Sequence, residues 1–209
     1  MTKEQEFYTR AEAWLMRLLE QHPVTATHMG EHRWDDRLGD HRPEAIEQRH
    51  QETLEALAEF EAMDTTDFSR DAEIDHTLLV KILASIVREH EKFQSHRRDP
   101  GSYMNEGLGG IMGLLLKEFA PLTERLHSAL GRVREVPRVL EEARLNIEPS
   151  AVPRVWAETM LEQAKQAPGL FLGLLPAMAE QGAPELRDEF VESGQAAAAA
   201  IEAYSTYVK

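Results

Sequence analysis

The sequence predicts an all-α protein, a single multi-helix lobe of about eight or nine helices with no significant sheet. Apolar residues recur at three- and four-residue spacing through most of the chain, whereas strand-like alternation is almost absent. Prolines also stand near the starts of successive helical segments, where a proline costs a helix least. Because no composition break divides the chain, residues 1–209 are predicted to form a single α-helical domain.

The first two predicted helices are separated by a proline and a long connection. The first helix carries an apolar stripe from Phe7 to Leu19. It is expected to end before Pro23, because the residue that precedes a proline resists the helical conformation. Residues 23–42 are predicted to form the long connection. Pro43 suits the first turn of the second helix, where its missing N–H group costs nothing.

Ser69 is the predicted N-cap of a third helix, because a serine hydroxyl can accept a hydrogen bond from an unpaired N–H group of the first turn. The apolar face predicted for this helix consists of Ile74, Leu78, Leu79, Ile82, Ile86 and Phe93. Residues 96–102, HRRDPGS, are predicted to break the helical pattern, since they contain adjacent proline and glycine.

The second half of the chain begins with an apolar, glycine-rich segment, residues 107–119. Its small residues are interpreted as permitting either close helix crossing or a bent first turn of a helix. Further helices are predicted to start near Pro121, Pro137, Pro153 and Pro184. Gly182 is predicted to separate the last two helices. The final helix contains residues 196–200, a run of alanines, which is the strongest helix former.

Charge and composition exclude several classes of function. The net charge of −14 is spread along the chain, which disfavours nucleic acid and anionic membranes as partners. The absence of cysteine excludes disulfides and thiolate zinc sites. The N-terminal residues lack the pattern of a signal peptide, and the apolar segments are shorter than the ~20 residues of a membrane span. We therefore expect a cytoplasmic protein.

Residues 28–32, His-Met-Gly-Glu-His, match the H-x-x-E-H pattern of inverted zinc peptidases. The candidate metal ligands are His28, Glu31 and His32. The pattern holds zinc only on a helix, where positions four apart face the same way. Gly30 interrupts the pattern and loop-like residues follow it, so no catalytic, cofactor-binding or metal-ligating residue is assigned. A small zinc enzyme that uses these three residues remains an alternative.

Three further sequence patterns do not indicate a specific reaction. Residues 90–94, HEKFQ, lack the second histidine of a zincin motif, and residues 107–113, GLGGIMG, lack the lysine of a phosphate-binding loop. A basic stripe at two- to six-residue spacing is interpreted as exposed side chains paired with neighbouring glutamates. Its members are Arg132, Arg134, Arg138 and Arg144.

Four stretches resemble, in the same order, the bacterial domain-of-unknown-function 885 family. They are HPVTATHMGEHRWDDRLGD (22–40), EIDHTLLVKIL (73–83), RRDPGSYMNEGLGGIMGLLLKEFAP (97–121) and VPRVLEEARLNI (136–147). Within the first stretch the matching positions are Gly30, His32, Asp35, Asp36, Arg37 and Leu38. The resemblance implies a structural role for these positions, in which charged side chains lock a long loop onto helix ends.

The family is similar to helical zinc metallopeptidases, and its full-length members are more than twice as long as this chain. Their zinc motif, an H-E-x-x-G-H-like element, lies in the C-terminal part and has no match here. The resemblance therefore implies a truncated protein, a non-catalytic N-terminal lobe that walls a peptide or substrate channel when joined to a zinc-bearing half. Zinc is expected only in that missing half, and this chain alone is not expected to be an enzyme.

The expected partner is the missing half or another protein, bound through an exposed apolar face. The candidate surfaces are residues 107–119 and residues 167–178. A stand-alone helical interaction module remains an alternative, because a lobe that lacks its partner exposes apolar surface. Such a module could form a homo-oligomer.

Overall fold

A computed structural model describes residues 2–209. Its α-helices are α1 (Lys3–Gln21), α2 (Pro23–Met29), α3 (Pro43–Glu61), α4 (Arg70–Arg88), α5 (Ser95–Arg98), α6 (Pro100–Leu116), α7 (Leu122–Asn146), α8 (Arg154–Ala164), α9 (Leu175–Gly182) and α10 (Arg187–Val208). Short π-helical segments, Glu89–Phe93 and Gly169–Leu174, follow α4 and precede α9. Eight α-helices, all but α2 and α5, have eight residues or more, and residues 2–209 contain no strand. The all-α prediction is confirmed.

Local signals placed most helix ends correctly. The hydroxyl oxygen of Ser69 accepts a hydrogen bond from the N–H group of Ala72 at 3.3 Å, as expected of an N-cap. As predicted, α1 ends before Pro23, α3 begins at Pro43 and α9 ends at Gly182. The predicted break at 96–102 is narrower than expected, because Asp99 alone separates α5 from α6 and caps α6 through Gly101 at 2.9 Å.

Two predicted boundaries were wrong. Pro137 starts no helix and lies inside α7, where it removes one backbone hydrogen bond at a typical cost of ~3 kcal/mol. Buried Val133, Val136, Val139 and Leu140 surround it, and their packing offsets that cost. Residues 23–42 are also not one connection, since α2 occupies the first seven of them.

The chain divides into two compact units, of which the first comprises residues 2–20 and 44–95. Its helices α1, α3 and α4 meet at an aromatic core. The ring of Phe7 lies edge-on to Phe60, with ring centroids 6.1 Å apart, and Leu83 of α4 completes the buried cluster. A single domain over the whole chain stays a prediction.

The second unit comprises residues 21–43 and 96–209. Helix α7 is its centre, since it packs against both α6 and α10 and contributes eleven buried residues. Glycines let the helices approach closely: a Cβ atom on Gly107 would lie 3.2 Å from Val136, and one on Gly110 would lie 2.7 Å from Val24. The predicted role of the glycine-rich segment, close helix crossing, is therefore confirmed.

The two candidate apolar surfaces differ from each other in exposure. The apolar residues of 107–119 are mostly covered, because Gly107, Ile111 and Leu114 are buried, and Leu116 is the one large apolar side chain of the segment that is strongly exposed. Residues 167–178 expose Leu172 and Leu174. The apolar face of α4 is also split, since several of its predicted members point outward. None of the described helices combines the length and apolar character that crossing a membrane requires.

Candidate functional site

The H-x-x-E-H pattern does not lie on one helix. Helix α2 ends at Met29, and Gly30 adopts the left-handed conformation with φ +90°. The N–H group of Glu31 donates to the carbonyl of Ala26 at 2.9 Å, which closes the end of the helix in the manner common at glycine-terminated helices. Glu31 and His32 therefore lie beyond the helix that carries His28.

The three candidate ligands make separate contacts. His28 lies against α6, where a Cβ atom on Gly113 would be 3.0 Å from its Nε2 atom. Glu31 accepts hydrogen bonds from Arg33, whose guanidinium lowers the pKa of that carboxylate. His32 stacks on Phe119, with ring centroids 3.8 Å apart. Within residues 2–209, no group of three or more acidic, histidine or cysteine side chains is arranged to hold a metal ion.

Arg132 of α7 is completely buried and joins the loop after α2 to the helices around it. Its guanidinium donates to the carbonyl oxygens of Arg37 at 3.0 Å and Gly110 at 2.6 Å, and to the hydroxyl of Thr27 at 2.6 Å. A longer bond of 3.3 Å reaches the carbonyl of Pro23. One side chain thus connects α2, α6, α7 and the loop that begins at Gly30.

Asp35 is the buried carboxylate of the same cluster. Its Oδ1 atom lies 3.9 Å from the Arg132 guanidinium and accepts a hydrogen bond of 2.5 Å from the hydroxyl of Thr27. Its Oδ2 atom lies 2.8 Å from Nδ1 of His32. Burial lowers the pKa of Arg132 from its ordinary value, and the carboxylate of Asp35 opposes that change. The threonine hydroxyl links the two charges.

The next part of the loop is held through its backbone. The N–H groups of Leu38, Gly39 and His41 donate to carboxylate oxygens of Glu135, Glu106 and Glu142, at 2.6, 2.8 and 2.8 Å respectively. Hydrogen bonds to ionised acceptors are shorter and stronger than those between neutral groups. Three loop N–H groups, each bound by a carboxylate of α6 or α7, therefore fix the path of residues 38–41.

Basic and amide side chains of α7 bind the carbonyl groups of the same segment. Arg138 donates to the carbonyl of Gly39 at 3.2 Å, and Asn146 donates to that of His41 at 2.6 Å. Arg138 also donates to Glu142 at 2.9 Å. Burial alone would raise the pKa of Glu106, but the nearby His41 imidazole and the N–H group of Gly39 hold it below its ordinary value.

We call this arrangement the loop lock: residues 30–42 held by Arg132, Glu135, Arg138, Glu142 and Asn146 of α7 and by Glu106 of α6. The expected locking of the loop occurs, but along the middle of α7 rather than at helix ends. Asp35 and Leu38 are buried, whereas Asp36 and Arg37 are exposed, and Arg37 contributes its carbonyl oxygen.

The interpretation of Arg132 as part of an exposed basic stripe was wrong. Arg134 does lie on the surface and pairs with Glu189. Arg132, two positions earlier, faces inward because α7 is buried on that side. The signal that could have revealed the loop lock is the spacing of polar residues at 132, 135, 138, 142 and 146, which places them on one helix face next to the buried valines.

A second cluster of titratable groups lies in the first unit. The rings of His50 and His90 stack with centroids 3.8 Å apart and planes at 9°. Nε2 of His50 lies 3.7 Å from Glu91, and Nε2 of His90 lies 3.7 Å from Glu47. His50 is buried and its Nδ1 atom has no hydrogen-bond partner within the described residues. Burial, and then the neighbouring His50, lowers the pKa of His90 from 6.5.

This lowered pKa predicts a loss of stability in mild acid. The folded state binds a proton at His90 less readily than the unfolded state does. The contribution of His90 to the free energy of unfolding is therefore fully present above pH 6.5 and falls as the pH drops below that value. We expect the H90F variant, which keeps a ring but removes the titrating site, to lose less stability in acid than the wild type. Urea unfolding followed by circular dichroism at a series of pH values measures this.

The matched control is H127N, since His127 is exposed on α7. It should keep the wild-type pH dependence. Identical pH profiles for H90F and the wild type would contradict the assignment of the acid sensitivity to the stacked pair.

Comparison with known proteins gives one family and one related fold. The model of the family described as bacterial protein of unknown function (DUF885) matches residues 23–209. No curated protein matches the chain. The chain shares its fold with “a putative lipoprotein of unknown function from Shewanella oneidensis”, with a TM-score of 0.83 and 23 % sequence identity. The match covers 94 % of this chain and 36 % of that protein, so the chain spans about a third of its length.

Proposed function

Because the chain belongs to the DUF885 family of bacterial proteins, we propose that it serves as a non-catalytic helical lobe of a larger metallopeptidase-like protein. In this role it walls a channel for peptides when it is joined to a zinc-bearing half. The single observation that carries the proposal is that this fold occurs as 36 % of a longer chain. The zinc, the peptide substrate and a cytoplasmic location are parts of the proposal.

The loop lock supports this role because a channel wall has to be rigid. A wall contributes positioning and exclusion of water rather than a chemical step. Residues 38–41 would otherwise be an irregular surface segment of the kind that is usually mobile. The N–H groups of Leu38, Gly39 and His41 donate hydrogen bonds to carboxylates of α6 and α7, and these bonds hold the segment in one conformation.

The contacts of the H-x-x-E-H residues favour this proposal over the small zinc enzyme. Zinc binding would require Glu31 to leave Arg33. Helix α2 also ends at Met29, between His28 and His32, so the two imidazoles lack the common helix that the zinc pattern needs. The proposal therefore assigns these residues to the scaffold.

The second candidate function, a stand-alone interaction module, is favoured by one specific observation. The outer side of α4 exposes Ile74, Leu78 and Ile82 in a single row. Rows of exposed apolar side chains often mark protein–protein contacts.

Reading the coding sequence that follows Lys209 distinguishes the two candidates. The lobe proposal predicts an open frame of several hundred codons that encodes an H-E-x-x-G-H-like motif within a helical pattern. A stop codon directly after Lys209 would contradict the lobe proposal and favour the stand-alone module.

A further inference from the structure

A cavity of about 320 Å³ lies in the second unit, between the first turns of α6 and helix α8. We call it the α6–α8 groove. Its rim consists of Ser102 and Asn105 on α6 and of Trp156, Thr159 and Gln163 on α8. Pockets for small ligands typically measure about 300–1,000 Å³, so the groove has room for a short ligand.

Three side chains of the groove carry hydrogen-bonding groups that the chain itself does not use. The amides of Asn105 and Gln163 and the indole N–H group of Trp156 form no hydrogen bond to another part of residues 2–209. Trp156 is only 38 % exposed, and the N–H group of a tryptophan that is largely covered usually has a partner. The groove therefore offers both donors and acceptors to a ligand.

The groove is nearly free of charge, although 29 % of the residues of the chain are charged. Asp99 is the one ionised group in its lining, and one oxygen of that carboxylate accepts a hydrogen bond from the N–H group of Gly101 at 2.9 Å. The hydroxyls of Ser102 and Thr159 each donate at 2.8 Å to carbonyl oxygens three or four positions earlier, so they face a ligand as acceptors. The lining thus suits a neutral polar ligand rather than an anion.

We propose that the α6–α8 groove binds a short, extended stretch of neutral peptide. The amide of Asn105 or Gln163 matches a peptide group, because it can donate to the C=O group and accept from the N–H group. Trp156 and Gln163 are seven positions apart, which is ~10 Å along α8. An extended chain rises about 3.3 Å per residue, so this distance corresponds to three residues. The exposed part of the Trp156 ring covers an apolar side chain at one end.

This inference deepens the proposed function, because it gives the channel wall a place that holds peptide. It rests on that proposal for the choice of peptide among neutral polar ligands. The two can fail separately, since the coding sequence beyond Lys209 tests the lobe proposal, whereas peptide binding is tested on the chain itself.

The test uses the intact chain labelled with nitrogen-15 and the blocked tripeptide acetyl-Ala-Ala-Ala-amide, which is uncharged. The chain has three tryptophans, and the variant W156F identifies the indole N–H signal of Trp156 by its loss. We expect the peptide to shift this signal with a Kd on the order of 1 mM, as suits a small ligand in an open groove. The signals of Trp14 and Trp34 should stay in place.

The variants N105A and Q163A should each weaken binding about fivefold, the effect of losing one hydrogen bond between neutral groups. Both positions are exposed on helices, where alanine is favourable, so the variants should fold like the wild type. The matched control is Q195A, because Gln195 is an exposed amide on α10 outside the groove. Q195A should bind the tripeptide as the wild type does.

The ligand class is tested with two further probes. The same tripeptide with N-methylated peptide groups lacks the N–H donors, so it should bind at least fivefold more weakly. Maltotriose, a neutral sugar of similar length without peptide groups, should not shift the Trp156 signal. Tighter binding of maltotriose than of the tripeptide would overturn the proposal. So would a Trp156 signal that stays in place at ten times the expected Kd, or equal affinities for N105A, Q163A and the wild type.

Discussion

The R132M variant is expected to lose about 3–5 kcal/mol of unfolding free energy, the usual cost of removing one partner from a buried charge cluster. Methionine fills part of the volume and suits a helix, so the loss arises from the groups left behind. Asp35 would remain buried without its cation, and the carbonyl groups of Arg37 and Gly110 would lose their donors. Urea unfolding followed by circular dichroism measures the loss.

The matched control for this variant is R134M, two residues away on the same helix. Arg134 pairs with Glu189 at the surface, and exposed pairs contribute at most about 1 kcal/mol. If R132M and R134M lost similar small amounts of stability, the guanidinium of Arg132 would not be the centre of the loop lock.

The G131A variant should lose about 1–3 kcal/mol, although alanine is the better helix former. A Cβ atom on Gly131 would lie 2.5 Å from the backbone oxygen of Asp36. A backbone atom cannot turn aside as a side chain can, so either the loop or α7 has to shift. Such a shift would lengthen the hydrogen bond from Arg132 to Arg37 next to it. Thermal or urea unfolding of purified G131A measures the effect.

The control for G131A is G173A in the π-helical segment that precedes α9. A Cβ atom on Gly173 would meet no atom within 4 Å, so alanine there should leave stability unchanged or raise it slightly. A G131A variant as stable as the wild type would show that the loop does not approach α7 as closely as the structure indicates.

Helix boundaries could be predicted because their causes are local. Ser69 caps α4 with its own hydroxyl, and Pro43 starts α3 because its missing N–H group costs nothing there. Pro137 shows the limit of this reasoning. Its place inside α7 depends on the burial of Val133 and Val136, which is a tertiary effect.

The loop lock could be predicted only in part. The resemblance drew attention to Asp35 and Leu38, and the structure buries both. Their partners on α7 lie about 100 positions later, and alternating arginines and glutamates at helical spacing look the same on a covered face as on an exposed one. Arg132 was therefore predicted to be exposed, although it is buried. Three of the four stretches that carry the resemblance, the first, third and fourth, meet in the loop lock, where Gly39 bonds to both Glu106 and Arg138.

The exposed row on α4 was missed for a similar reason. Apolar residues at three- and four-residue spacing predict that a helix has an apolar face, but not which of two such faces is covered. Leu83 is buried in the core of the first unit, whereas Leu78, five positions earlier, is exposed on its surface.

We propose that the His-Met-Gly-Glu-His segment belongs to the scaffold and holds no metal. The most direct test is the zinc content of the purified chain, measured by elemental analysis after incubation with excess zinc chloride and removal of free metal. We expect well under one zinc per chain, and the same value for the H28A/H32A double variant. One tightly held zinc per chain, lost in the double variant, would contradict the account.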